Sequence, residues 1–422
     1  MVTEEQILEI IASWNKSILN QNLRDRYIVD KIIKLHNNGK NKEIIDLVGV
    51  RRAGKSSILA LIMKRLNLKN EEMLYINFEE PLFVNDYTIH LIEKIWNTYR
   101  THINPDKKPF LFFDEIQLIP MWEKWMRKIR DQELAYVFIT GSSSDLLSKE
   151  YGTSLTGRHF SFSVYPLSFK EFLLFNHVKT AKNRFSLYDN KLKIINLFYK
   201  YLTTGGFPEI VLKNDPQLLK NYFDDILYKD IIERHKIRDV ISLKKLAVFC
   251  LTNMGNRVTY NSLRKYFSLS LDTVREYLSY FEESFFIFQV PIYSYSLKLQ
   301  EISQKKIYCI DNGLRNEISF KFSKDEGRLA ENLVFVDLKR KGNEIYYWKN
   351  RGEVDFIVKN KDQSLTAINV SYADEIDERE VNSLLEFKKK FRNVKELIIL
   401  TKDVSKKENR VKFIPLWSWL LE

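Results

Sequence analysis

Eight residues near the start of the chain, Gly49-Val50-Arg51-Arg52-Ala53-Gly54-Lys55-Ser56, have the types and spacing of a loop that cradles phosphate. Each type has a task. Glycines let backbone amides curl round an anion, the lysine reaches the β- and γ-phosphates, and the serine hydroxyl holds Mg²⁺. Ser57 comes next and is grouped with the loop. The preceding "EIIDLV" reads as a strand. The following "SSILALIMKRL" reads as a helix with Ile58, Leu61, Ile62 and Leu66 on one face. A helix beginning there turns its dipole and free amides toward the phosphates. Arg51 and Arg52 fill variable positions and admit three readings: solvated loop charge, added positive potential over the phosphates, or contact with a partner.

About 60 residues on, "KPFLFFDEIQLIP" sets the apolar run Phe110 to Phe113 directly before Asp114 and Glu115. A buried strand ending in paired acids downstream of such a loop is the Walker B arrangement. Asp114 is expected to hold Mg²⁺, directly or through its water, and Glu115 to polarise an attacking water. The pair therefore predicts hydrolysis as well as binding. A third apolar run, "AYVFIT", leads into Gly141-Ser142-Ser143-Ser144. Ligands of parallel sheets sit at the carboxyl ends of the strands. Ser142 is thus a candidate sensor of the γ-phosphate or the water, with helix capping as the alternative. Arg158 could stabilise leaving-phosphate charge, in cis or across a subunit interface, or could form a structural salt bridge.

These residues need elements to position them. Residues 44–48, 73–78, 109–113 and 135–140 are short apolar runs separated by helical stretches, which predicts a parallel sheet with helices on both faces. The chain has 422 residues, 45% of them apolar and 14% aromatic, enough for two to four cored domains. "MVTEEQILEIIASWNK" reads as an amphipathic helix and not as a signal peptide. No run of about 18 apolar residues predicts a membrane span. Two distant cysteines, Cys250 and Cys309, suit a reducing cytoplasm and argue against disulfide or zinc frameworks. The net charge of +12 suits phosphate-rich partners, although a Lys/Glu-rich surface also marks proteins of hot habitats.

"GVRRAGKSS", "FFDEIQ", "ITGSSS", "LTGRHFSFSVYPLSFKEF" and "GGFPE", in this order, resemble a family of archaeal and bacterial AAA-type ATP-binding proteins. In that family an ATPase domain precedes a domain of unknown function with a nuclease-like fold. The resemblance covers nearly the whole chain. It implies ATP as ligand and an AAA-like module, with Gly49 to Ser57 binding the nucleotide and Ser56 and Asp114 the Mg²⁺.

The rest of the chain reads as two further modules. Residues 166–235 are mostly helical, broken by a turn at "TTGGFPEI". Residues 241–290 read as a winged helix-turn-helix, with a second helix from near Thr259 and a third with Asp272 near its N-cap. The third helix should bury Leu271, Val274, Leu278 and Phe281. Its exposed face offers Arg275 against Asp272, Glu276, Glu282 and Glu283, a poor surface for reading DNA bases. Lys244, Lys245, Arg257, Arg264 and Lys265 could touch a phosphate backbone.

From residue 326 the order helix, strand, strand, strand, helix, strand resembles the PD-(D/E)xK nuclease fold. Glu331 and Asp355 match its first two metal-binding positions. Asn369 and Ser371 stand where the family has an acid and a lysine, which predicts an inactive scaffold.

The expected architecture is therefore α/β: a P-loop AAA-like domain (1–165), a helical and winged-helix module (166–300) and a small nuclease-like α/β domain (301–422). The expected function is a Mg²⁺-dependent ATPase switching its C-terminal modules or a partner, either a protein or DNA. No membrane is involved, and the oligomeric state is left open. The alternative is a nucleic-acid-binding regulator with nucleotide as effector, and a metal-dependent nuclease ranks last.

Overall fold

The structure, a computed structural model, describes residues 2–40, 42–142, 159–178, 190–319 and 325–422. The chain divides into two compact units, Met1–Val164 and Tyr165–Glu422.

In the first unit the four apolar runs form strands: β1 (Ile44–Val48), β2 (Met73–Asn77), β3 (Phe110–Asp114) and β4 (Tyr136–Gly141). A fifth, β5 (His159–Ser163), joins them in the order β2-β3-β4-β1-β5, and all pairs are parallel. The sheet is the predicted one with an added edge. β5 reads "HFSFS", whose alternating polar residues mark a half-exposed edge strand and not a fully buried one. The central strands are mainly apolar and buried, with Asp46 in β1 and Thr140 in β4 among their polar members, and Phe112 stacks on Phe138 with ring centroids 4.9 Å apart.

Helices α1 (Glu4–Leu19), α2 (Tyr27–Leu35), α3 (Lys55–Arg65), α4 (Ile89–His102) and α5 (Trp122–Asp131) complete the unit. A capping box of Thr3 and Gln6 starts α1, which buries Ile7, Ile10, Ile11 and Ile18. It also buries Asn15. That side chain accepts the Tyr75 N–H and donates to the Met73 and Asn70 carbonyls, each at 3.2 Å. Asn15 so satisfies edge groups of β2 that have no strand beside them. The one-sided helix expected after the phosphate loop is instead buried nearly all round, from Ile58 to Met63, because α1 and α2 both pack on α3.

The second unit starts with helices α6 (Phe169–Phe175), α7 (Lys191–Thr204), α8 (Pro208–Lys213) and α9 (Leu218–Asp225). The turn expected at "TTGGFPEI" joins α7 to α8. It is tied down by Asp311, whose buried carboxylate accepts the Gly206 N–H at 2.6 Å and the Leu314 N–H at 3.1 Å. Burial raises the pKa of Asp311 to about 6.

Next come α10 (Val240–Thr252), β6 (Arg257–Val258), α11 (Tyr260–Phe267), α12 (Leu271–Glu283), β7 (Ile287–Val290), α13 (Leu297–Ile302), β8 (Lys305–Cys309) and α14 (Asn312–Ile318). Thr259 caps α11, as expected. Ser270 caps α12, two residues before the expected Asp272. The buried face of α12 is Val274, Tyr277, Leu278 and Phe281, while Leu271, in its first turn, is only half-buried. β6, β8 and β7 form an antiparallel sheet in that order. β8 thus pairs with strands from the earlier side of residue 300.

Helix α15 (Glu326–Arg340) precedes a six-stranded mixed sheet of order β13-β14-β12-β11-β10-β9. Its strands are β9 (Glu344–Lys349), β10 (Glu353–Lys359), β11 (Leu365–Ser371), β12 (Val394–Thr401), β13 (Lys406–Glu408) and β14 (Val411–Pro415). Helix α16 (Glu378–Lys390) lies between β11 and β12 in the chain. It buries Leu384 and Phe387 against Trp348, Val354, Ile357 and Ile399 of the sheet.

Candidate functional site: a phosphate loop facing paired acids

Parallel strands end on one side of their sheet, so β1, β3 and β4 deliver their C-terminal residues to the same edge. Because β4 lies between β1 and β3, the loop after β1 and the acids after β3 face one another across the end of β4. Gly49 leaves β1 at φ 154°, and a Cβ there would stand 2.1 Å from the Val164 carbonyl oxygen. Only glycine fits so close an approach. Gly54 takes a left-handed conformation, φ 94°, as the N-cap of α3, which aims the first amides of the helix at the loop. Val50 and Ala53 are fully buried, and Ser56 and Ser57 lie half-buried in the first turn of α3.

Lys55 is 5% exposed. Its ammonium donates to the carbonyls of Gly49 at 3.0 Å and Val50 at 3.3 Å, and stands 4.0 Å from Glu115 Oε1. Arg51 pairs with Glu79 at 3.0 Å, so of its three readings the loop charge has a partner within the same unit. Arg52 is exposed at φ 69°.

Asp114 is fully buried. Burial, then the charge of Glu115, raises its pKa, while hydrogen bonds from Ser56 and Thr140 pull the other way. Tyr75 donates its hydroxyl to Asp114 Oδ2 at 3.0 Å, and Thr140 donates to Oδ1. Thr140 also accepts the Glu115 N–H at 3.1 Å, so one hydroxyl joins both acids. Glu115 is held at φ 55°, ψ 44°, a strained conformation for a non-glycine residue and one found at functional sites. Gln117 donates to its Oε2 at 2.5 Å.

Ser142, buried just past β4, lies at the same sheet edge. Arg158, Ser143 and Ser144 lie outside the described residues. Three contributors carry no local sequence signal. Thr140 and Tyr75 reach Asp114 from neighbouring strands, and buried Arg26 donates to the Ala53 carbonyl of the loop at 2.9 Å.

The residues fit a phosphate with its Mg²⁺. A buried carboxylate beside the Ser56 hydroxyl is costly without a cation, and the lysine and the α3 amides supply positive charge next to it.

The C-terminal unit holds a second cluster. The structure brings together Glu331 on α15 and Asp355 on β10, as the sequence paired them, and adds Lys306, Glu353 and Tyr308. Lys306 of β8, 2% exposed, stands 2.9 Å from each of Glu331, Asp355 and Glu353. Tyr308 donates to Glu331 at 2.6 Å. The β10–β9 register shifts between Val354 and Ile357, a bulge-type irregularity that aims Asp355 at the cluster. Burial opposes the charge on Lys306, but Asp355 and Glu331 more than offset it and hold its pKa well above the ordinary value. Asn369 accepts the Asp355 N–H at 3.1 Å and donates to Glu380 at 2.7 Å. Among the described residues, no group of three or more His, Cys, Asp or Glu side chains is arranged to hold a metal ion.

The fold and site define an AAA-type P-loop protein. The family model described as an AAA domain matches residues 41–173. Two described as domains of unknown function, DUF8612 and DUF4143, match 195–325 and 326–419. The chain is 35% identical to the uncharacterized protein MJ1544 of Methanocaldococcus jannaschii over 444 residues, covering 99% of this chain and 95% of that one. It belongs to that protein's family. An uncharacterized Haemophilus influenzae protein is 29% identical over 402 residues, covering 91% and 96%. AMPPCP-bound DnaA from Aquifex aeolicus covers 63% of this chain and 90% of its own, at 11% identity and a TM-score of 0.28, too low to carry a functional argument. Among the described residues no helix is long and apolar enough to cross a membrane.

Proposed function

We propose that the protein is a Mg²⁺-dependent ATPase. The carrying observation is the arrangement of Lys55, Ser56, Asp114 and Glu115 around the ends of β1 and β3. In this reading the loop amides and Lys55 bind the β- and γ-phosphates of ATP, and Ser56 and Asp114 hold Mg²⁺, which neutralises phosphate charge when bound. Glu115, pre-set by the Thr140 hydroxyl and by Gln117, orients the attacking water. Ser142 senses the phosphate from the end of β4, and Arg158 supplies positive charge to the leaving group.

Hydrolysis then acts as a switch on the second unit or on a partner bound by it. Its helix, turn and helix, followed by β7, support the winged-helix reading of residues 241–290. The mixed sheet with α15 and α16 supports a nuclease-like scaffold. Lys306 at the centre of the carboxylates speaks against metal-dependent cutting.

The test is phosphate release from pure protein with and without Mg²⁺. Lys55→Ala and Glu115→Gln should each lower the rate on the order of 10²-fold or more. A rate that survives both substitutions, or no turnover at all, removes the reading. The alternative, a nucleic-acid-binding regulator with nucleotide as effector, draws on the charge of the middle region.

A further inference from the structure

We propose that the groove between α10 and α11 binds single-stranded nucleic acid without base specificity. This goes beyond the ATPase reading in naming a second site and its ligand, and it does not depend on that reading.

The observations begin with rings. An open groove of about 800 Å³ is lined by Phe249 from α10 and by Tyr266 and Phe267 from α11. The three rings lie 4.8 to 5.5 Å apart, centroid to centroid. Tyr266 is 72% exposed. A large ring left so open gains little from folding; Phe249 meets it tilted and Phe267 edge-on, and its exposed face is one on which a flat group can stack.

Charge then selects the flat group. Residues 236–270 carry seven basic side chains (Lys236, Arg238, Lys244, Lys245, Arg257, Arg264 and Lys265) and one acid, Asp239. Helix α12, next in the chain, carries Arg275 against Asp272, Glu276, Glu282 and Glu283. The basic excess thus lies in the sequence before α12, and of its members Arg257 faces Glu353 at 3.8 Å, away from the groove. Lys244 and Lys245 line the groove, and Arg264 and Lys265 stand exposed beside Tyr266. The acids close by are already engaged. Asp224 accepts from Lys244 at 2.9 Å, and Asp239 caps α10 by accepting the Ser242 N–H at 3.0 Å. Lys245, Arg264 and Lys265 lie outside both contacts. An exposed ring flanked by cations is complementary to bases joined by phosphates.

The polar residues of the groove decide how the ligand is read. Thr252 donates to the Val248 carbonyl and Asn253 to the Phe249 carbonyl, both turned back onto α10. No hydrogen-bonding code for base edges is presented by these two side chains, so binding should be sequence-tolerant. A duplex hides its base faces inside the stack, and rings in a groove can reach only unpaired bases. The single strand is thus the occupant favoured over the duplex, and a nucleic acid is favoured over an apolar peptide by the surrounding cations.

The experiment is fluorescence anisotropy of the full chain, without nucleotide, against a labelled oligothymidylate of about 20 residues, the same length of duplex, and a labelled acidic aromatic peptide, over a salt series. The expected result is single-strand binding tighter than duplex binding, with an affinity that falls steeply as salt rises. Tyr266→Ala should weaken it roughly ten-fold with the salt slope unchanged. Lys245→Ala with Lys265→Ala should flatten the slope by about 1.4, the value for two lost phosphate contacts to a single strand. Tyr266 is exposed, so its variant should keep the wild-type circular dichroism. The proposal is overturned by no binding of the single strand, by equal preference for duplex, by tighter binding of the peptide, or by an affinity that Tyr266→Ala leaves unaltered. Lys55→Ala should bind the strand as the wild type does, which separates this outcome from any failure of the ATPase reading.

Discussion

Lys55 and Lys306 are the two lysines buried among the described residues, 5% and 2% exposed, and both sit beside carboxylates. Their surroundings differ in kind. Lys55 is held by two backbone carbonyls of its own loop, with its nearest acid partner 4.0 Å away. Neutral oxygens hold an ammonium loosely enough to be exchanged for phosphate, and Asp114 meanwhile is occupied by hydroxyls. Lys306 is held at 2.9 Å by three carboxylates at once. Removing one partner from such a buried set strands uncompensated charge. In the proposed reading a lysine near acids is thus a ligand-binding group in one unit, while in the other it is an internal counter-ion, and the oxygens around it make the difference.

Exchanging each lysine for methionine breaks the comparison most sharply. Lys55→Met should lower phosphate release on the order of 10²-fold or more, while its urea midpoint stays close to the wild type's. Lys306→Met should do the reverse to stability, costing about 3–5 kcal/mol by urea unfolding followed by tryptophan fluorescence. Equal losses of stability in both would erase the distinction.

A smaller effect is expected at Thr140. Thr140→Val keeps the shape but removes the hydroxyl that joins Asp114 to the Glu115 amide. Hydrogen bonds to charged groups are worth about 1.5–3 kcal/mol. Phosphate release should accordingly fall about ten-fold or more, measured at saturating ATP. An unchanged rate would show that Glu115 is positioned without it.

The smallest effect tests the charge balance around Lys306. Burial and the charge of Asp355 raise the pKa of Glu380 to about 7. The folded state therefore holds this proton more tightly than the unfolded chain does. The contribution to stability is fully present below the ordinary carboxylate pKa and is lost as pH rises toward 7. Glu380→Gln should raise the unfolding midpoint at pH 8 and lose that advantage by about pH 5. A gain of equal size at both values would mean that Glu380 does not titrate in this window.

The same contrast governs what the sequence discloses. The phosphate loop, the strand runs at 44–48 and 110–114, and the acids after Phe113 are local patterns, set by hydrophobic continuity and by spacing along one short segment. They are legible because one chain segment builds each part. Thr140 meets Asp114 from 26 residues away and Tyr75 from 39, and only strand order brings them to one edge. Lys306 reaches Asp355 across 49 residues and from a different sheet. The nuclease pattern places its lysine at residue 371, where this chain has Ser371, and no local pattern points to β8. β5 is illegible for another reason. Its alternating "HFSFS" lacks the unbroken apolar run that betrays a central strand.

Asn15 has a consequence of its own. Its amide occupies the Tyr75 N–H and the Met73 carbonyl at the outer margin of β2, where a strand from another chain would otherwise add. The first helix thereby blunts an open sheet edge: a single side chain takes up polar groups of the outer margin that a strand of another chain would need for pairing.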